Sequence, residues 1–362
     1  MIASTLFRYF GLRFVSAVFA VFAGAFALVT MVDFIEMLRR TQDLPDVSTL
    51  AVAKISLFRV PFVTERVMPF AVLVATMLCY LNLSRRLELV VARAAGVSAW
   101  QFIAPALVIA FLIGVVSTTV YNPISAYLRE RSTQLEAELS PQQGGLRTST
   151  TNFWVRQRSD DGQSIINAKT SRQQGVELGA VSIFRFEPNG TFRDRIEANT
   201  AVLEPGFWRL DGARIYANGV PAIEQATYRI KTNLTRAQAS ESFATPETVP
   251  FWQLSSHIVV AENAGLTATA YRLQYLQLLA QPFYLAAMVL LAASVSLRFF
   301  RMGGVQRVVL GGVAAGFAIY VLAKLSGDVS KAGLIPPLLA AALPALLGGI
   351  GGFLALLYQE DG

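Results

Sequence analysis

Six long stretches without a charged residue constrain what this chain can fold into. A helix needs roughly 20 apolar residues to cross about 30 Å of hydrocarbon, and these stretches approach or exceed that length. They are Phe14–Val32, Val67–Leu83, Gln101–Leu128, Leu273–Leu297, Val308–Ala323 and Ala332–Gln359. The sequence therefore predicts six transmembrane helices, with the short second and fifth stretches extended into flanking residues.

The charged residues are few and concentrated in the middle of the chain. They make up 15% of 362 residues, whereas a soluble domain carries about 25%. The segment 129–272 alone holds 16 basic and 15 acidic residues. This distribution excludes a wholly soluble protein, a disordered chain and a fibrous repeat. The basic excess lies beside the apolar stretches, where such residues set membrane orientation, so we expect no nucleic-acid partner.

The basic residues also predict the orientation in the membrane. Cytoplasmic loops carry the excess of Lys and Arg. The residues that define this side are Arg8, Arg13, Arg85, Arg86, Arg93, Arg298, Arg301 and Arg307. The loop on the other side, 33–66, balances five basic with five acidic residues. Both termini are therefore expected in the cytoplasm, and the polar insert in the periplasm of a Gram-negative cell.

The polar insert, residues 140–262, predicts an all-β domain between the third and fourth spans. Turn signals such as Asp160-Asp161-Gly162 and Pro188-Asn189-Gly190 separate short apolar-alternating segments. The expected strands are Phe153–Arg158, Ser164–Lys169, Val181–Glu187, Thr191–Glu197, Ala201–Glu204, Phe207–Leu210, Ala213–Tyr216 and Ala226–Thr232. Their spacing favours a sandwich or jelly roll. The expected organisation is helices 1–3 in 1–139, the β domain in 140–262 and helices 4–6 in 263–362.

Catalytic motifs are missing from the sequence. The single cysteine, Cys79, and the single histidine, His257, form neither an internal disulfide nor a Cys/His metal cluster. No GxxxxGK[ST], GxSxG, HExxH or CxxC pattern occurs. We therefore expect a chain that is not an enzyme and that holds no cofactor or metal.

Three acids, Asp33, Glu65 and Asp328, lie next to predicted spans. An acid inside the membrane is a candidate functional group. The alternative is that these carboxylates are helix-end residues at the membrane interface, because Glu65 neighbours Arg66 and Asp328 lies near Lys324 and Lys331.

The segment 84–96 between the second and third spans predicts a short amphipathic cytoplasmic helix. Leu87, Val90, Val91 and Ala94 recur at helical spacing and form one apolar face. Glu88 is a lone carboxylate on another face. Gly96 is a natural helix stop, and Ser98-x-x-Gln101 is a capping box that starts the next helix. The alternative is an ordinary interfacial loop.

This segment resembles the coupling helix of the lipopolysaccharide-transport permeases LptF and LptG. The residues that match the family pattern are Glu88, Leu89, Val90, Arg93, Ala94, Ala95 and Gly96. The layout of three spans, a periplasmic β-jelly roll and three spans is similar along the whole chain. An acid followed by the basic pair Arg39-Arg40 after the first span is more similar to LptG than to LptF.

The resemblance implies a subunit of an ABC transporter that extracts lipopolysaccharide from the inner membrane. It implies a second six-span permease of the LptF type and two copies of a cytoplasmic ATPase, LptB, which would use ATP and magnesium. It also implies a single-span partner, LptC, that receives the lipid through a series of β-jelly rolls. Glu88, Leu89, Arg93, Ala94 and Gly96 would then couple the chain to the ATPase.

The same resemblance implies that Arg39 and Arg40 are part of the lipopolysaccharide site. A basic pair just outside the first span would meet the phosphates of lipid A. Arg129 and Arg131, after the third span, are a candidate second phosphate clamp. The alternative for Arg39 and Arg40 is pairing with Glu36 or Asp43. The family often has a lysine where this chain has Asp33, which is a departure from its pattern.

Two glycine pairs, Gly312-x-x-x-Gly316 and Gly348-x-x-x-Gly352, have the spacing that allows close helix packing in membranes. They fit contacts within one chain or at the interface of paired permeases.

Two functions of other classes compete with transport. A membrane-embedded enzyme of envelope glycan or lipid metabolism would need convergent His, Asp or Ser groups in the spans, and no span contains a histidine. A periplasmic scaffold with membrane anchors would not need six spans.

Overall fold

The structure is a computed structural model that describes residues 2–42, 48–139, 153–159, 162–172, 176–187, 190–217, 221–232, 246–263, 268–302 and 305–361. The α-helices before the sheet are α1 Ile2–Thr41, α2 Thr49–Arg85, α3 Glu88–Ala94, α4 Ala99–Val116 and α5 Asn122–Leu139. The α-helices after the sheet are α6 Phe251–Asn263, α7 Thr269–Met302, α8 Val305–Lys331 and α9 Pro337–Asp361. A π-helix, Ser117–Tyr121, joins α4 to α5, and a 3₁₀ turn, Pro246–Thr248, precedes α6.

Within the described residues, six helical segments are long and apolar enough to cross a membrane. They are Thr5–Thr41, Thr49–Arg85, Ala99–Glu136, Thr269–Leu297, Val309–Lys331 and Pro337–Tyr358. Each contains one of the six uncharged stretches or most of it, so the prediction of six spans is confirmed. Five of the six segments are longer than those stretches because polar residues at their ends continue the helical backbone, as Arg39 and Arg40 do at the end of α1.

The glycine pairs pack within the chain. A Cβ at Gly316 would overlap a Leu73 methyl group on α2. At Gly352 a Cβ would lie 2.7 Å from the backbone of Leu290 and Leu291 on α7. The backbone contact at Gly352 leaves no room for a side chain, and a side chain at Gly316 would displace Leu73. These glycines therefore allow α8 to approach α2 and α9 to approach α7. The structure therefore favours the first of the two alternatives for the glycine pairs.

The insert contains one antiparallel sheet, in which the described strands pair in chain order. They are β1 Phe153–Ser159, β2 Gly162–Arg172, β3 Glu177–Phe186, β4 Phe192–Glu204, β5 Phe207–Ala217 and β6 Ile223–Lys231. The prediction of helical spans with an inserted β domain is confirmed. This chain order is a meander, and the finer jelly-roll description stays a prediction.

The described chain forms two compact units. One comprises Met1–Ser132, Pro250–Trp252 and Arg272–Gly362, and the other comprises Thr133–Val249 and Gln253–Tyr271. The second unit has its own apolar core, in which Trp208 and Leu210 of β5 are buried with Ile183 and Ile196. Residues 251–263, which the sequence analysis assigned to the all-β insert, form helix α6. That assignment was wrong. Leu254 and Ala261 are buried and lie seven residues apart, a helical spacing. The polar residues Ser255, Ser256 and His257 between them made this spacing difficult to recognise in the sequence.

Candidate functional site

Helix α3 is bounded by two left-handed backbone positions. Leu87 has φ 61° and precedes the helix, and Gly96 has φ 81° and follows it. At the end, the N–H of Gly96 donates to the Arg93 carbonyl (2.9 Å) and that of Val97 to the Ala92 carbonyl (3.1 Å). This pair of bonds is the Schellman motif that glycine favours. The predicted stop at Gly96 is therefore confirmed, while α2 continues to Arg85 and shortens the helix at its start.

The capping box predicted after this helix is also present. The Gln101 N–H donates to Ser98 Oγ (3.4 Å), and the Ser98 N–H donates to Gln101 Oε1 (3.3 Å). Both bonds fix the start of α4. The segment between spans two and three thus has a defined local structure from Leu87 to Gln101.

Leu89 attaches α3 to the helical unit. Its side chain is 1% exposed and belongs to the apolar core that also contains Phe10 of α1 and Phe102 of α4. The guanidinium of Arg93 lies 5.9 Å from the centre of the Phe102 ring. Leu89 therefore holds the helix in place and does not lie on its exposed face.

Glu88 faces α1. Tyr9 Oη donates to Glu88 Oε2 (2.8 Å), and Arg13 donates to the same Tyr9 hydroxyl (2.9 Å). The Arg13 guanidinium lies 3.8 Å from Glu88 Oε1, a contact that adds charge attraction. The Glu88 side chain is 27% exposed. A carboxylate has about four acceptor sites, so these two partners leave acceptor sites of Glu88 unused.

The apolar face predicted from the sequence is exposed on α3. Leu87 is 61%, Val90 40% and Val91 66% exposed, and Ala94 and Gly96 are exposed beside them. We call the residues Leu87, Val90, Val91 and Ala94 the α3 surface. An apolar surface next to the Glu88 carboxylate suits a partner that has an apolar groove and a cation.

Arg39 and Arg40 lie together at the end of α1 and share one partner. Arg40 Nε donates to Glu36 Oε1 (2.8 Å), and Arg39 lies 3.2 Å from Glu36 Oε2. Both guanidinium groups are exposed, so their remaining donors are accessible. One carboxylate against two guanidinium groups leaves a net positive charge at this end of the helix.

Arg129 lies beside α2. Its guanidinium is 5.4 Å from the centre of the Phe62 ring, and that of Arg66 is 4.4 Å from the same ring. Two cations thus lie near the Phe62 ring, and Arg66 is not one of the predicted phosphate ligands. Arg131 is exposed on α5. The two predicted basic pairs therefore lie on different helices and have different neighbours.

Comparison with known protein families assigns the chain to a family. The family described as lipopolysaccharide export system permease LptF/LptG matches residues 8–358. The chain belongs to this family.

Individual relatives agree with that match. The chain is similar to the lipopolysaccharide export system permease protein LptG of Escherichia coli K12, with 23% identity over 349 residues, which cover 93% of this chain and 94% of the relative. It is also similar to LptG of Haemophilus influenzae Rd, with 22% identity over 357 residues, which cover 95% and 96%. The greater similarity to LptG is thus confirmed.

Asp33 forms an ion pair that no sequence pattern predicted. Arg59 Nε on α2 donates to Asp33 Oδ1 on α1 (2.9 Å), and both side chains are largely buried. The two residues are 26 positions apart, and no local pattern could have paired them. Asp33 therefore ties α1 to α2.

The interpretation of Glu65 as a helix-end residue was wrong. Its side chain is 8% exposed and contacts Asn122 and Ser125 rather than standing free beside Arg66. Asp328, in contrast, is exposed on α8. Proximity to a basic neighbour in the sequence does not predict burial, because side chains one position apart on a helix point in different directions.

Proposed function

We propose that this chain is the permease subunit of an ABC transporter that extracts lipopolysaccharide from the inner membrane and delivers it to a periplasmic β bridge. The observation that carries the proposal is α3. It lies between two spans, it is fixed to α1 and α4 through Glu88 and Leu89, and it presents the exposed α3 surface. The sequence contains no GxxxxGK[ST] loop, so the ATPase has to be another chain.

If this chain forms the membrane path and another chain hydrolyses ATP, several partners are expected. A cytoplasmic LptB-like ATPase dimer would bind ATP and magnesium, and this chain would hold no cofactor. A second LptF-like permease would complete the membrane part, and a single-span LptC-like protein would accept the lipid. The basic loops would lie in the cytoplasm with both termini, and the β domain in the periplasm.

The Glu88 carboxylate would bind a cation on the ATPase. Tyr9 and Arg13 hold it in one direction, and its unused lone pairs remain available for a second charged partner. Glu88 would thus bridge α1 and the ATPase, so that movement of the ATPase acts on span one as well as on spans two and three.

The lipid phosphates would contact Arg39 and Arg40, with Arg129 and Arg131 as a second clamp. The net positive charge of Arg39 and Arg40 over Glu36 supports this assignment. Guanidinium groups bind phosphate through paired hydrogen bonds that lysine cannot form. Arg66, whose guanidinium also lies near the Phe62 ring, would add to the positive potential there.

Co-purification tests the assignment of the α3 surface. Val91→Asp places a charge on that surface, and Val259→Asp places one on an exposed valine of α6 as a matched control. We expect tagged wild type and Val259→Asp to retain the ATPase, and Val91→Asp to lose most of it because a buried unpaired charge weakens an interface. Equal retention by Val91→Asp, or no ATPase with the wild type, would contradict the proposal.

A further inference from the structure

A buried polar network surrounds Glu65 on α2. Asn122 Nδ2 donates to Glu65 Oε1 (2.8 Å), and Ser125 Oγ donates to Glu65 Oε2. Beside it, the hydroxyls of Thr64 and Tyr121 are 2.7 Å apart. Burying a carboxylate without such donors is costly, so Asn122 and Ser125 of α5 stabilise the buried Glu65 side chain.

Glu65 fixes the orientation of the Asn122 amide. Glu65 Oε1 accepts a hydrogen bond, so Asn122 has to turn its NH₂ group toward Glu65. Its carbonyl then points the other way and accepts from the N–H of Phe251 (2.9 Å). Phe251 is the first residue of α6, and N–H groups at a helix start lack partners within the helix. Glu65 thereby determines, through Asn122, what holds the start of α6.

A second bond ties α6 to the π-helix. Pro123 has no N–H to give to the Thr119 carbonyl four residues earlier. The indole of Trp252 donates to this carbonyl instead (3.0 Å). The Phe251 ring also stacks on Tyr275 of α7 at 5.4 Å. Thr118 of the π-helix donates to the Leu278 carbonyl of α7 (2.8 Å). The π-helix, a feature often found at functional sites, therefore contacts α2, α6 and α7.

The helices around Glu65 connect the membrane spans to the β domain along the chain. Helix α5 forms the last part of span three and precedes the β sheet in the chain, and α6 lies between the sheet and span four. Helix α2 continues from Glu65 over about 30 Å to its end next to α3. We propose that Glu65 is a positioning residue of the transport cycle, which links movement of α2 to both connections of the β domain. The effect on transport rests on the proposed function.

Hydrogen exchange tests the local part of the inference on the purified chain. Glu65→Ala removes the acceptor that orients Asn122, so we expect the Phe251 amide to exchange about tenfold faster, as local opening becomes easier. In Glu65→Gln the new amide can accept from Asn122 and donate to Ser125, which restores slow exchange. Asp328→Ala, at an exposed acid of α8, is the control and leaves the exchange unchanged. Wild-type exchange in Glu65→Ala would overturn the inference.

Reconstituted complexes test the coupling. With Glu65→Ala we expect ATP hydrolysis to persist while lipopolysaccharide release falls about tenfold, within the range of coupling between sites. Glu65→Gln should restore release. Asn122→Ala should match Glu65→Ala, and the double variant should be no worse than either single variant, because all three break one chain of contacts.

The two tests separate the possible failures. Losses that multiply in the double variant, or full release with Glu65→Ala, would overturn the positioning role in transport. A wild-type complex that moves no lipopolysaccharide would refute the proposed function, while the exchange of the Phe251 amide would still decide whether Glu65 positions α6.

Discussion

At the residue scale, Glu88 shows how a family motif acquires a physical role. The carboxylate is held by Tyr9 and Arg13 of α1, residues about 80 positions away that no motif in segment 84–96 predicts. The neighbouring Leu89 matches the family pattern equally well, yet it is buried. The motif therefore combines one residue that fixes the helix with one whose charge remains accessible to a partner.

Replacing Glu88 tests its role toward the ATPase. If its carboxylate is buried against a cation in the complex, Glu88→Ala should weaken docking by about 2–5 kcal/mol, because it leaves that cation unpaired. Glu88→Lys should be worse, because it adds repulsion. Arg13→Ala keeps the carboxylate and should dock nearly as the wild type does. ATPase retention after affinity purification measures all three, and wild-type retention by Glu88→Lys would show that the carboxylate contacts no cation.

Replacing Arg39 and Arg40 tests substrate capture. Each basic residue near a membrane surface contributes about 1 kcal/mol toward anionic lipid, and a change to Glu replaces that attraction by repulsion. We expect the double variant Arg39→Glu, Arg40→Glu to assemble normally and to crosslink much less lipopolysaccharide than the wild type. Unchanged crosslinking in an assembled complex would mean that these arginines serve only their pairing with Glu36.

At the element scale, neighbouring glycines on α9 offer a matched pair. A Cβ at Gly352 would lie 2.7 Å from the backbone of α7, whereas a Cβ at Gly351 would meet nothing within 4 Å. Gly352→Val should therefore destabilise the helical unit by about 1–3 kcal/mol through overpacking. Gly351→Val should have little effect on its stability. Thermal unfolding in detergent compares the two. Equal midpoints would contradict the close packing of α7 and α9.

The sheet shows where strand prediction from sequence fails. The sequence analysis divided β4 into Thr191–Glu197 and Ala201–Glu204, and it likewise divided β5. In the structure, the buried side chains change from even to odd positions along β4, from Ile196 and Ala198 to Ala201 and Leu203. A similar change occurs in β5, next to Gly212 with φ 67°. When the buried face changes within one continuous strand, the alternation of period two is interrupted, and the sequence then suggests two separate strands.

At the scale of the whole molecule, long apolar stretches and turn signals were sufficient to predict six spans and an inserted β domain. They depend on composition and local spacing, which a sequence displays directly. The contacts Asp33–Arg59, Tyr9–Glu88 and Glu65–Asn122 join residues 26 to 79 positions apart. Such pairs depend on how helices pack, so the sequence alone predicted the candidate residues without their partners.

We propose that this chain moves lipopolysaccharide with energy supplied by an ATPase in another subunit. The most direct measurement is lipopolysaccharide release from proteoliposomes that contain the chain, its partner permease and the ATPase, with an LptC-like acceptor outside. We expect release that requires ATP and that falls sharply with Glu88→Lys. ATP hydrolysis without any release of lipopolysaccharide from the wild-type complex would contradict it.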